Sequence, residues 1–235
     1  MIISMHTRAQ QGLSLGMFGQ ADVRPTDLGV RTLSSPEDQY ILRMMVMSPV
    51  HGFSIPSELE WLKSTILGCI SYQRQRFPLH PFIYITVRSG EVRSETDDLL
   101  HVDGFSMRVS HLPEQNYIWS AGGYPTEVLT RRVGIPGDFD PLRHNLHWLL
   151  QDKAREEDIK PLRSGHLYVI DPYIAHRRPK VPPGVKRTFF RISFVPIEIQ
   201  DDTCTRNPAF PAVHYGKIDF RHQLERYPIS KFEEQ

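Results

Sequence analysis

His101 and Asp103 stand two residues apart in the stretch Asp98 to Met107, DLLHVDGFSM, with strand-like residues on both sides. In a strand, residues i and i+2 point to the same face, so an imidazole nitrogen and a carboxylate oxygen converge on one point. That is two thirds of the two-histidine, one-carboxylate set that holds non-haem Fe(II) with positions left open. A His-x-Asp pair also arises by chance, so a second segment is needed. It is supplied further on by His176, with Arg187, Arg191 and Ser193 behind it. Three protein ligands on one face of Fe(II) leave three coordination positions, of which a bidentate 2-oxo acid takes two and O2 the third. A 2-oxo acid with a second carboxylate needs a cation at its far end. An arginine fork gives two parallel charge-assisted hydrogen bonds there, and a neighbouring hydroxyl adds another.

The elements that must position these groups read mainly as strands. Residues 1 to about 35 carry scattered Gly, Pro, Ser and Thr without a sustained period and read as loop with a short strand or helix at most. Glu37 to Met47 is an apolar run that suits either a buried strand or a short helix. Ser57 to Arg76 reads as an amphipathic helix: Ser57 with Glu60 makes a capping box, and Leu59, Leu62, Ile66, Cys69 and Ile70 recur at helical spacing. Phe82 to Arg88 reads as a strand, with Gly90 as a turn. Strand-like stretches follow at Phe105–Ser110, Tyr117–Ala121 and Thr126–Val133, and short strands with turn signals between them point to an antiparallel sandwich or barrel.

Ile135 to Leu162 interrupts the strands as an insertion, with a helix over Leu142 to Glu157. His144 and His147 share one face of it at i, i+3, but no HExxH pattern accompanies them, so a solvated or satisfied face is the preferred reading over a metal pair. Strands resume at His166 to Ile170 and at Tyr173 to His176, and Arg187 to Ile199 is the most convincing strand of the chain. On it Thr188, Phe190, Ile192 and Phe194 make an apolar face for the sheet's helical cover. Arg187, Phe189, Arg191 and Ser193 look into a polar cavity. No internal repeat or low-complexity linker appears, so residues 1–235 read as a single domain: an elaboration over 1–80, a core over 80–200 and a C-terminal tail over 200–235.

Composition sets outer limits. At 235 residues the chain can bury a substantial core, and its 40% hydrophobic and 23% charged residues are ordinary for a globular protein. A net charge of +1 gives no electrostatic footprint for nucleic acid or an anionic membrane. Eleven histidines point mildly to metal or proton chemistry. Cys69 and Cys204 lie far apart and outside any CxxC pattern, which suits reduced thiols and a cytoplasmic protein. No signal peptide and no membrane span is expected.

The order His101-x-Asp103, then His176, then Arg187 eleven residues on and Arg191-Ile-Ser193 fifteen residues on resembles the Fe(II)/2-oxoglutarate-dependent oxygenase superfamily. Ala121-Gly122-Gly123-Tyr124-Pro125-Thr126 is similar to the Gly-Gly-x-Thr turn of its prolyl-hydroxylase-like members. Ser164 to Ile170 looks like the strand running up to the distal ligand. The resemblance covers about residues 80 to 200. It implies a jelly-roll, cupin-like double-stranded β-helix core with flanking helices. It also implies His101, Asp103 and His176 as Fe(II) ligands, and 2-oxoglutarate and O2 as cosubstrates. Two arginines compete for one carboxylate. Arg187, which starts its strand after the Gly184 turn, is preferred as the 2-oxoglutarate anchor, with Arg191 left to an anionic group of the substrate. The reverse stays open, since Arg-Ile-Ser is the more familiar local pattern. Tyr117 and Trp119 lie on a strand that should line the barrel near the metal, either binding cosubstrate or substrate or serving as core aromatics.

The expected activity is oxidation, by default hydroxylation, of a small molecule that carries a carboxylate or similar anion, coupled to decarboxylation of 2-oxoglutarate. Neither nucleic acid nor membrane is an expected partner. A cupin-like metal-binding protein or isomerase without oxidative chemistry is the rival, and the arginine clamp is the feature it does not need. A purely structural barrel would bind no Fe(II).

Overall fold

The computed structural model describes residues 17–19, 25–77, 80–92, 99–103, 114–134, 136, 146–171, 174–196, 198–199 and 203–211. In chain order the strands are β1 (Met17–Gly19), β2 (Thr26–Val30), β3 (Tyr40–Ser48), β4 (Gly52–Phe53), β5 (Phe82–Glu91), β6 (Gln115–Ala121), β7 (Glu127–Leu129), β8 (Arg132–Gly134), β9 (Ile159–Pro161), β10 (His166–Ile170), β11 (His176–Arg177) and β12 (Lys186–Val195). Among the described residues two α-helices accompany them, α1 (Lys63–Arg76) and α2 (Leu146–Lys153). The described residues are therefore mainly β, and every strand pairing among them is antiparallel.

A large sheet runs in the order β2-β10-β6-β12-β5-β3-β4 and a small one in the order β11-β7-β9, with β1 and β8 paired apart. The face of the large sheet under α1 follows from strand alternation. Ile83, Ile85 and Val87 of β5, Tyr117 and Trp119 of β6, Leu167 and Val169 of β10, and Phe190, Ile192 and Phe194 of β12 pack with Leu59, Leu62, Ile66, Cys69 and Ile70. Each such fully buried large apolar side chain contributes about 1.5–3 kcal/mol, which is what holds the helix to the sheet. The opposite face meets the small sheet, where Ile118, Tyr168 and Ile170 contact Val128 and Ile174. Beyond the small sheet, α2 packs Leu146, Leu149 and Leu150 over Leu129, Val133, Leu100 and Val102. The layers are thus α1, large sheet, small sheet, α2.

Several expectations are corrected locally. The Ser57–Glu60 capping box does not form. Pro56 takes an extended conformation and accepts from the Leu59 N–H at 2.9 Å, so Ser57 opens a 3₁₀ turn over Ser57–Leu62 and α1 starts only at Lys63. Glu60 pairs instead with exposed Lys63. The ambiguous run before it is strand β3. Gly90 does not turn the chain but lies inside β5 opposite Arg187, with φ 133°. Thr126–Val133 breaks into β7 and β8 because Thr130 turns aside to give its N–H and hydroxyl to the Asp158 carbonyl. β12 stops at Val195, before Pro196, which has no N–H to give the ladder. The insertion helix ends at Lys153 rather than Glu157, which falls in a 3₁₀ turn over Glu156–Asp158; residues 142–145 of the expected helix lie outside the described residues. Phe105–Ser110, His144 and Tyr173 lie outside the described residues. Cys69 and Cys204 are not joined in a disulfide, and no described helix is long and apolar enough to cross a membrane.

Candidate metal centre

His101 and His176 face each other as an antiparallel backbone pair at the edge of the small sheet: each N–H donates to the other's carbonyl at 2.9 Å. Directly opposed residues bring their side chains together, and the two rings lie 4.5 Å apart between centroids. Each ring is oriented in the same way. His101 Nδ1 is 3.1 Å from the Leu99 carbonyl and His176 Nδ1 is 3.0 Å from the Ile174 carbonyl, both two residues upstream. A carbonyl can only accept, so Nδ1 carries the proton in both rings and Nε2 is left as the ligand atom. Asp103, two residues beyond His101, brings its carboxylate to the same point. One ligand atom from each of His101, Asp103 and His176 lies within 4.8 Å of the others.

Asp103 is anchored from behind. Oδ1 accepts from Arg191 Nη1 at 2.7 Å, and Oδ2 accepts from Asn116 Nδ2 at 2.6 Å while lying 3.2 Å from His176 Nε2. Ser193 Oγ donates to Asn116 Oδ1 at 2.6 Å. The carboxylate accepts only, so the amide must present its nitrogen to Asp103 and its oxygen to Ser193. This orientation follows from the network itself. Asn116, Arg191 and Ser193 come from neighbouring strands: β12 pairs with β6 in a register that sets Ser193 opposite Asn116 and Arg191 opposite Ile118.

Burial sets the electrostatics. It would raise the Asp103 pKa, but the Arg191 guanidinium and then His176 outweigh it and hold the carboxyl well below its ordinary 3.8. Burial followed by the charge of His176 pushes His101 down to about 3. Burial pulls His176 down too, yet the Asp103 carboxylate more than compensates and raises it above 6.5. With Nδ1 committed to a carbonyl, the close approach of His176 Nε2 to Asp103 Oδ2 requires a positive charge shared between them, from a proton or a metal ion. Two imidazole nitrogens and one carboxylate oxygen are a donor set that would suit a borderline divalent transition ion. The carbonyl partners of both Nδ1 atoms fix the tautomers as metal sites require.

The other residues singled out in the sequence divide. Arg191 and Ser193 join the triad's surroundings, on Asp103 and on Asn116. Arg187, buried on the same face of β12, makes a different set of contacts: Nε donates to the Tyr124 carbonyl at 2.8 Å, and the guanidinium lies over the Phe189 ring at 5.2 Å. Burial, then Arg178 and Arg88, lowers its pKa to about 10, so the charges acting on it are positive. Tyr117 is not brought to the metal side. Its side chain points to α1, where the hydroxyl donates to Gln73 Oε1 at 2.8 Å and the ring packs on Phe194 and Tyr72. Trp119 lies on that same face, stacked on Phe190. Of the insertion histidines, His147 sits edge-on to His101 at 6.0 Å between centroids.

Asn116 is the residue that sequence reasoning missed. The available signal was period-two alternation: an Asn inside the run Gln115–Ala121 must face opposite to its neighbour Tyr117, and only one of the two can look toward the small sheet. The chain matches no protein-family profile and no curated protein sequence.

Proposed function

We propose that the protein is a non-haem Fe(II)- and 2-oxoglutarate-dependent oxygenase that oxidises a small, anionic molecule. The observation that carries this reading is the convergence of His101, Asp103 and His176 ligand atoms within 4.8 Å, with both imidazoles oriented through Nδ1. The winding of the chain supports it. From β5 onward the segments, apart from β8 which pairs with β1, pass back and forth between the two sheets: β5 in the large one, the His101 segment at the edge of the small one, β6 large, β7 and β9 small, β10 large, β11 small, β12 large. This passage between sheets supports, as part of the same proposal, a double-stranded β-helix core.

His101, Asp103 and His176 would hold the ion. When bound, Fe(II) supplies O2 activation, so that 2-oxoglutarate, O2 and a C–H bond give succinate, CO2 and a C–OH group. The chain's own part is to bind, orient and exclude water. Arg191 is already engaged by Asp103, whereas the charges acting on Arg187 are other arginines, so Arg187 is the guanidinium suited to the far carboxylate of the cosubstrate.

The test is to load the chain with Fe(II) under anaerobic conditions, add 2-oxoglutarate and O2, and measure succinate. Wild-type protein should release succinate only with Fe(II), and Asp103→Ala should release none. Arg187→Ala should raise the KM for 2-oxoglutarate by about tenfold or more, as expected for loss of a charge-assisted hydrogen bond. Tight Fe(II) binding without succinate would mark a metal-binding barrel with no oxidative chemistry. Absence of Fe(II) binding would end the proposal.

A further inference from the structure

The contacts of Arg191 and Ser193 do not suit groups reserved for an organic acid. Arg191 Nη1 and the Ser193 hydroxyl go to protein partners, and those partners lead to one atom pair, while the buried Arg191 Nε has no hydrogen-bond partner among the described residues. Ser193 Oγ reaches Asn116 Oδ1 at 2.6 Å, Asn116 Nδ2 reaches Asp103 Oδ2 at 2.6 Å, and Arg191 Nη1 reaches Asp103 Oδ1 at 2.7 Å. Asn116 is completely buried, Ser193 is 4% exposed and Asp103 9% exposed, so water offers these groups little alternative partnership.

We infer that Asn116, braced by Ser193, is a positioning residue of the metal centre, and that the Arg191–Ile192–Ser193 segment serves the ligating carboxylate of Asp103 rather than the cosubstrate. The inference rests on the metal reading above. Two donors on opposite oxygens stop the carboxylate from rotating about its Cβ–Cγ bond. Arg191 occupies Oδ1, which leaves Oδ2, the oxygen turned to His176, as the one that ligates. Asn116 donates to that same oxygen and fixes its direction. The Ser193 hydroxyl holds the amide in the only flip that presents N–H to a carboxylate. Such partners of metal ligands are typically worth 10–100-fold in metal affinity.

Mn(II) binding to the full chain, followed by the electron paramagnetic resonance of the free ion, and the visible absorption of the Co(II)-loaded chain provide readouts independent of turnover. Asn116→Ala should weaken Mn(II) binding by about tenfold or more and change the intensity of the Co(II) bands as the carboxylate loses its fixed direction. Ser193→Ala should move both in the same direction by a smaller factor. The double variant should cost less than the product of the two single losses, because Ser193 acts through Asn116. Ser193→Thr, which keeps the hydroxyl, should restore most of the affinity. Arg187→Ala should leave Mn(II) affinity within about twofold, the effect expected of a group that touches no ligand. If Asn116→Ala does not fold, Ser193→Ala and Ser193→Thr carry the test on their own.

Variants that bind Mn(II) as the wild type does, with an unchanged Co(II) spectrum, overturn this inference alone. So does a Ser193→Ala chain whose only defect is weaker 2-oxoglutarate binding. A wild-type chain that binds no Mn(II) overturns the metal reading itself, and this inference with it.

Discussion

The Arg191 guanidinium and the Asp103 carboxylate form a buried ion pair at 2.7 Å, with side chains only 14% and 8% exposed. Removing one partner of such a pair leaves an uncompensated charge and costs about 3–5 kcal/mol. Arg191→Met should therefore lower the stability of the metal-free protein by about that amount. A divalent ion at the triad supplies the missing positive charge, so saturating Mn(II) should raise the Tm of Arg191→Met by more than it raises that of the wild type. Equal shifts in the two proteins would show that Asp103 does not take part in binding the ion.

Tyr117 separates a core role from a cofactor role. Its hydroxyl is buried against Gln73 beneath α1. Tyr117→Phe should cost about 1 kcal/mol in urea unfolding, the net worth of one hydrogen bond, while leaving the dissociation constant of 2-oxoglutarate unchanged. A raised dissociation constant with undiminished stability would return Tyr117 to the binding site.

His80 gives a pH signature away from the triad. It is 2% exposed, its Nε2 has no hydrogen-bond partner among the described residues, and burial pushes its pKa down from 6.5 to about 4. The folded value lies below the unfolded one. Above pH 6.5 both states are neutral at this site; as the pH falls from about 6.5 to 4 the unfolded chain takes up the proton first, and stability declines. The slope is at most about 1.4 kcal/mol per pH unit for one proton. Comparing wild type with His80→Leu by urea unfolding between pH 7.5 and 4 should show a shallower decline in the variant. Parallel curves would mean that His80 titrates alike in both states.

Gly90 sits inside β5 with φ 133°, and a Cβ there would collide with Asp38 Oδ1 and come within 3.3 Å of the Asp38 Cα. Both the backbone conformation and the close approach of Asp38 require glycine. Gly90→Ala should destabilise the protein by about 1–3 kcal/mol. Because Gly90 pairs with Arg187 across the ladder, the same variant should also weaken 2-oxoglutarate binding. A Tm equal to wild type would show that Asp38 moves aside at no cost.

Period-two alternation makes β12 readable from its sequence. Phe190, Ile192 and Phe194 do pack under α1, while Arg191 and Ser193 do face the small sheet. On β6 the sequence leaves Tyr117 and Trp119 open between binding cosubstrate or substrate and serving as core aromatics, and both pack in the core under α1. Tyr117 and Trp119 are as apolar as their inward neighbour Ile118, so nothing local says which set looks toward the metal. Only the pairing of β6 between β10 and β12 decides it. The capping box failed for a comparable reason: Ser57 and Glu60 have the right spacing, but Pro56 fixes the backbone one residue earlier than a serine cap needs. The meeting of His101 with His176 is a long-range pairing, and short-range patterns can propose such a partner but do not bring it into contact.

The reciprocal pair of 2.9 Å main-chain bonds between His101 and His176 places the spacing of two metal-facing imidazoles under the control of the peptide backbone. Swapping neighbouring side chains for others of different volume changes packing but leaves that ladder rung in place. An arriving ion therefore meets a gap that is already set, and loses little chain entropy in closing it. Selection among ions then falls on that preset gap together with the carboxylate that Arg191 and Asn116 hold in place, and the two between them decide which ionic radius the centre accepts.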